Sequence, residues 1–329
     1  MALQLLPWQS DYGTSLSNDM DENERPIGPV DVTVEQENWD VITVTNATKI
    51  PAQIIDGVRR PEVHVIQEDT VGGAIFGLFG SLAVGAVLCE ERAHILEETL
   101  RVERLYLHSG NSLPSITIGE GRSAMEFKSQ RVPDATNATN SLYSLQQRML
   151  DAETHLASEL SRDDSKITFV DGPLRSLKSP GQRIIGYIKR ISQWYISEEQ
   201  RKLLYRLGVN QRTPLFHIPS NTEINNSQSS GRYSWFLRLR ELGEAYHPLG
   251  GVMRLETNGS VPIEQAKVLA DESVQVLPRL SSMPGQDPRA PHNFVPVGQL
   301  EKVLTHRLGD PLWLNRQIST FVGRQGNQI

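Results

Sequence analysis

Apolar positions along the chain fall into short runs with strand spacing, broken by a few stretches with helical spacing. Residues 41–55 (VITVTNATKIPAQII) are β-branched and end in an apolar run, which predicts a strand. That run meets Asp56-Gly57, where a turn is expected, and a second strand follows over 62–67. From Val71 to Cys89 nineteen residues carry no charge, a length that would suit a membrane helix. Five glycines (Gly72, Gly73, Gly77, Gly80, Gly85) argue against a helix there. Two buried strands near 74–79 and 82–88 are expected instead, with a kink at Gly80-Ser81 and no membrane span. Residues 90–108 read as helix then strand, 109–122 as a loop and 124–131 as a strand.

The clearest helical stripe is Leu145, Met149, Ala152, Leu156 and Leu160, which predicts a helix over 141–161. Strands follow at 167–170 and 184–188, and a helix at 198–207. Residues 219–231 are polar and read as a loop. Strands at 233–240 and 251–257, a helix at 262–270 and a Pro-rich linker at 281–291 come next. The last helix is expected over 298–308, with Leu300, Val303, Leu304 and Leu308 facing inward. There is no internal repeat. Mixed strands and helices give an α/β or α+β domain.

Composition narrows this picture. The 329 residues allow about two domains, or one large domain with long insertions. With 38% hydrophobic and 22% charged residues the chain is not wholly disordered, collagen-like or coiled coil. The single cysteine, Cys89, excludes an internal disulfide framework and a multi-cysteine zinc site, and fits a reducing, cytoplasmic setting. The N-terminus has neither a basic region nor an adequate apolar run, so no signal peptide is expected.

Net charge is −6, which taken alone argues against nucleic acid. Its distribution changes that. Residues 1–50 carry nine acids and two bases, whereas 175–240 carry twelve bases and three acids. Residues 1–30 are expected to form a loose acidic arm with one short helix. The basic segment is expected to be a functional patch.

Two local patterns match each other: QIIDG at 53–57 and TFVDG at 168–172. Each ends an apolar strand in Asp-Gly, where open α/β sheets bind ligands. Two aspartates on neighbouring strands can share a hard divalent cation such as Mg²⁺ or Mn²⁺. Asp-Gly is also a common turn dipeptide. Bases follow each pair: Arg59 and Arg60 after the first, Arg175 and Lys178 after the second. The next strand ends in Lys189-Arg190. Carboxylates flanked by cations suit a metal site that handles a phosphodiester. The sequence lacks the GxxxxGK[ST] phosphate loop and the G-x-S-x-G hydrolase frame.

These residues resemble the NurA nuclease family. The resemblance rests on IIDGVRR (54–60), RMLDAETHLASEL (148–160) leading into ITFVDGPL (167–174), GYIKR (186–190) and APHNFVPVGQLEKVLTHRLGD (290–310). It implies an α/β, RNase H-like mixed central sheet flanked by helices, with an N-terminal arm and a C-terminal helical elaboration. The corresponding division is an acidic arm at 1–40, a nuclease domain at 41–310 and a C-terminal tail at 311–329.

The resemblance implies a metal-dependent deoxyribonuclease, with single-strand endonuclease and 5′–3′ exonuclease activity. It further implies a role in DNA end resection, a HerA-like hexameric ATPase as partner, and a homodimer. It assigns metal-binding to Asp56, Glu153, Asp171 and Glu301, holding two Mn²⁺ or Mg²⁺ ions. Glu153 fits the family's helix glutamate better than Glu159. The family's C-terminal block has a Tyr and a His near a Pro. Here Pro296 holds the proline position, Glu301 falls where the His is expected, and His306 lies a turn further on. The last ligand is therefore Glu301 or His306, with His292 lying before the block.

Lys189 or Arg190 would offset charge on the phosphate. Arg59, Arg60, Arg175, Lys178, Arg190, Arg232 and Arg238 would contact DNA. Trp235, with Phe236 and Tyr233, would stack bases or serve as strand core. Two other classes remain open: a non-catalytic nucleic-acid-binding protein of the same fold, and a structural partner of an ATPase ring docked through the acidic arm.

Overall fold

The computed structural model describes residues 3–5, 29–45, 50–68, 73–132, 138–174, 183–189, 191, 193–219, 231–243, 246–287 and 289–326. The short helix expected within 1–30, and nearly all of the loop at 219–231, lie outside them.

Two long strands form the spine. β1 (Leu3–Leu5) and β2 (Ile42–Thr43) precede them. β3 (Ala52–Glu68) pairs antiparallel with β4 (Ala74–Cys89) from Ala52↔Cys89 to Glu68↔Ala74, with one register shift between Pro61 and Val63. Residues 74–89 of the uncharged stretch are thus one continuous strand, without the expected kink at Gly80-Ser81. Nearly every residue of β4 is buried, because helices cover both faces of the sheet there. No helix among the described residues is long and apolar enough to cross a membrane.

The chain then runs through β5 (Ala93–Ile95), a single 3₁₀ turn, β6 (Arg101–His108), β7 (Ile116–Ile118) and β8 (Met125–Arg131). No α-helix forms at 90–100, and β7 occupies part of the expected loop. Next come α1 (Ala138–Leu160), β9 (Ile167–Asp171), β10 (Ile184–Ile188) and α2 (Glu198–Arg201). The remaining strands are β11 (Gln211–Arg212), β12 (Phe216–Ile218), β13 (Arg232–Arg238) and β14 (Val252–Asn258). The chain closes with α3 (Ile263–Leu280), α4 (Val295–Arg307) and α5 (Pro311–Gly326).

The fourteen strands among the described residues join one mixed sheet, with the main order β2-β11-β13-β14-β10-β9-β3-β4-β6-β8-β7. At its centre β3, β9 and β10 run parallel. This is the expected mixed central sheet flanked by helices, an RNase H-like α/β architecture.

The helices explain the core. On α1, Leu145, Met149 and Leu156 are buried against Ile55, Leu82, Val84 and Val170 on one sheet face. On the other face α3 and α4 cover Ile54, Phe169, Ile185, Trp235 and Leu255 through Leu269, Val274, Leu277, Leu300 and Leu304. Each buried leucine contributes roughly 1.5–3 kcal/mol by leaving water. Residues 311–326 form α5, which buries Leu314, Ile318 and Val322 against Val65, Phe79 and Tyr106.

The described acidic segment is pinned as well. Arg212 donates to both oxygens of Glu35, each at 2.8 Å, and through Nε to Asp271 at 2.7 Å. Asp31 bridges to His217.

Candidate active site

Register places the two Asp-Gly aspartates together. β3 and β9 run parallel with Ile55 opposite Val170, so the next positions, Asp56 and Asp171, stand side by side. On the far side of β9, Asp171 lies opposite Tyr187 of β10. Alternation puts all three on the face that α3 and α4 cover, since Ile54, Phe169 and Ile185 belong to that core.

The two dipeptides do different work. Gly172 turns the chain after β9 at a φ of 82°, and its amide donates to the Tyr187 carbonyl at 3.0 Å. Gly57 makes no turn, and β3 continues through it for eleven more residues. A Cβ there would lie 2.5 Å from Glu153 Oε1 and 3.0 Å from Met149 Cγ. The bare glycine lets α1 bring the buried Glu153 against β3 beside Asp56, on the sheet face opposite the one that carries the Asp56, Asp171 and Tyr187 side chains.

Asp56 is buried, and its Oδ2 has no hydrogen-bond partner. Burial pushes its carboxyl up to about 8, and the charges of Asp171 and Glu301 add to that. Lys189 and the Gly57 amide pull the other way. Lys189 Nζ donates to Asp171 Oδ2 at 2.7 Å and lies 5.4 Å from the Tyr187 ring centroid. Burial alone would lower the Lys189 ammonium, but Asp171 and Asp56 beside it outweigh that and hold it up.

Tyr187 was not expected here. It is fully buried, its ring packs edge-on against Phe294, and its hydroxyl has no hydrogen-bond partner. Burial raises the phenol well above its usual range, and Asp171, Asp56, Glu153 and Glu301 each push it further. One hydroxyl therefore feels all four proposed carboxylates. The strand alternation that puts Tyr187 in step with Asp171 is the only trace of this in the sequence.

Glu301 projects from α4, a third exposed, with Arg289 Nη2 at 3.6 Å. His306 is exposed on the same helix, and five residues at about 100° each carry it to another face. The structure thus brings Glu301 to the acids and leaves His306 away from them. His292 is partly buried, with Nε2 2.8 Å from the Val252 carbonyl. Burial lowers it, the Val252 contact opposes that, and the nearby Lys189 charge lowers it further. Glu159 is an exposed partner of Arg101 and His155, so Glu153 is the better-placed helix glutamate.

Several expected DNA contacts are instead structural. Arg60 is buried, pairs with Glu62 at 3.0 Å, and donates to the Gly309 and Leu308 carbonyls at 2.9 and 3.3 Å. Arg104 reaches the same Leu308 carbonyl at 3.1 Å. Together they satisfy the carbonyl end of α4, the helix that carries Glu301. Arg238 is buried and donates to the carbonyls of Leu207, Pro248 (2.9 Å) and Leu204 (3.1 Å). Trp235 is fully buried, with Nε1 donating to Ser273 Oγ at 3.1 Å, and Phe236 stacks on Phe216 inside the core. Neither presents a face to a base.

Arg232 pairs with the buried Glu256 at 3.4 Å, and Arg59 is half-buried beside Gln146. Arg175, Lys178 and Arg190 lie outside the described residues. Every described base in the basic segment meets an acid, a backbone carbonyl or an aromatic ring, Arg240 through the Ser281 carbonyl at 3.2 Å.

The donor set is all carboxylate, which suits Mn²⁺ or Mg²⁺. An unpartnered buried Asp56 oxygen among like charges favours a cation. As placed, however, no three His, Cys, Asp or Glu side chains among the described residues form a group close enough to hold a metal ion. The chemistry of the donors fits the cation, and their present spacing does not form a ready cage.

Two in-register aspartates on the central parallel strands of an RNase H-like sheet stand where such a sheet can bind a ligand. Residues 73–302 match the NurA domain, and the chain belongs to this nuclease family. The match contains Glu153, Asp171, Lys189 and Glu301. Asp56 lies before it, so register with Asp171 is what brings Asp56 into the site. No curated protein matches the chain.

Proposed function

We propose that this protein is a metal-dependent deoxyribonuclease, with its site built on Asp56, Asp171, Glu153 and Glu301. The observation that carries this reading is the in-register pair Asp56 and Asp171, with a buried Asp56 oxygen left unpartnered. Bound Mn²⁺ or Mg²⁺ would supply Lewis-acid polarisation of the scissile phosphate and an activated water. The number of ions, two, follows from family membership and not from the donor spacing.

The chain's own residues do the rest. Asp56 and Asp171 would be the residues that hold the cation. Glu153 closes the α1 side of the site, and Glu301 approaches from α4. The Lys189 ammonium neutralises charge that builds on the phosphate oxygens. Arg289, beside Glu301, contributes a second cation at the same opening.

Single-stranded endonuclease and 5′–3′ exonuclease activity, end resection with a HerA-like hexameric ATPase, a homodimer and a cytoplasmic location are proposed from family membership. A purely DNA-binding role is less well supported, because Arg60, Arg232 and Arg238, among the described bases expected to carry it, are tied up in structural contacts.

End-labelled single- and double-stranded DNA, incubated with Mn²⁺ and with EDTA, tests the reading. Cleavage should require Mn²⁺ and fall at least a hundredfold in both Asp56→Ala and Asp171→Ala. Cleavage in EDTA, or full activity in both variants, would overturn it.

A further inference from the structure

The acid cluster already contains a cation of its own. Lys189 is the first residue after β10, two positions from Tyr187, so alternation sends its side chain over the same face. Its stem crosses the Tyr187 ring, and its ammonium sits 2.7 Å from Asp171 Oδ2. Asp56 draws on the same charge. The acids as they stand do not form a three-ligand group. The oxygen that Lys189 holds therefore belongs to one of the two carboxylates a divalent cation would need most.

We propose that Lys189 is a built-in counter-ion that competes with the divalent cation for Asp171. Cation loading would expel its ammonium from Asp171 toward the substrate phosphate. The proposal rests on the nuclease reading above and adds an order of events to it. A divalent ion and an ammonium repel each other at one carboxylate, so loading requires the Lys189 contact to break. The side chain is long and flexible enough to swing away, unlike the strand-borne acids. Once released, it gains most from a partner when a phosphate is present, because the cation already draws on the neighbouring carboxylates. Cation and DNA therefore bind with positive coupling, each favouring the other. Without DNA, Lys189 keeps cation affinity low, which restrains hydrolysis until a strand is seated.

Calorimetric titration of the full chain with Mn²⁺ alone tests this. Lys189→Met keeps the length of the stem over Tyr187 and removes the charge. It should bind Mn²⁺ at least tenfold tighter than the wild type while cleaving DNA more slowly. Lys189→Arg, which keeps a cation, should stay within about threefold of the wild-type affinity. Lys189→Gln carries the same expectation as Lys189→Met should that variant fail to fold, which its melting transition will reveal.

Unchanged or weaker Mn²⁺ binding in folded Lys189→Met or Lys189→Gln would overturn the counter-ion proposal. Asp171→Asn separates the two ideas. If it loses Mn²⁺ binding while Lys189→Met matches the wild type, the cation site stands and only the counter-ion role fails. If neither wild type nor Lys189→Met binds Mn²⁺, the metal reading fails and takes this proposal with it.

Discussion

Asp56 shows what a single buried carboxylate can report. Its carboxyl is raised to about 8, first by burial and then by Asp171. In the unfolded chain it ionises near 3.8. The native state therefore holds a proton that the unfolded state has lost between those values. The sign follows from linkage: the contribution of Asp56 to stability is greatest below about pH 4 and declines as pH rises toward 8. Asp56→Asn removes that penalty. In EDTA its gain in melting temperature over the wild type should be larger at pH 8 than at pH 5. An equal gain at both pH values would show that Asp56 is not a raised carboxyl.

Asp56 and Asp171 were legible because both end a matching apolar pentapeptide. Tyr187 was not, because inside IIGYI it reads as ordinary strand core. Arg60 and Arg238 misled for the complementary reason. Residue type does not disclose burial, and long side chains can spend their donors on backbone carbonyls as well as on phosphates.

At the scale of elements, the close approach of α1 to β3 decides whether Glu153 belongs to the site. Gly57 leaves the space that Glu153 Oε1 and Met149 Cγ fill. Gly57→Ala should cost about 1–3 kcal/mol by overpacking and displace Glu153. Chemical denaturation should show that loss in a chain that still folds, and cleavage should fall at least tenfold. A folded Gly57→Ala with wild-type cleavage would remove Glu153 from the site.

The helices α1 and α4 and the strands β9, β10, β13 and β14 were legible from periodicity and breakers. The long β3 was not, because Asp-Gly usually marks a turn, and only the packing of α1 makes Gly57 a strand residue. β4 was misread as two strands because a segment buried on both faces shows no alternation. Its glycines then looked like a kink.

At the scale of the molecule, charge does not map simply onto function. The basic segment reads as a DNA patch in one dimension. In three dimensions Arg212 is spent on Glu35 and Asp271, Arg183 on Glu272 and Arg232 on Glu256. The acidic segment supplies one of those partners, so the two opposed charge regions partly cancel inside the fold. Removing one side of a buried pair such as Arg212–Glu35 typically costs about 3 kcal/mol or more. Truncating residues 1–40 would therefore disturb the fold as well as any docking role.

What remains concentrated is the pair of aspartates where β3, β9 and β10 meet, with Lys189 against one of them. Anomalous diffraction at the manganese edge, from crystals soaked in Mn²⁺, tests its role most directly. The account predicts a peak between the Asp56 and Asp171 carboxylates that disappears in Asp56→Asn. A peak confined to another surface, or one at this place that persists in Asp56→Asn, would contradict it.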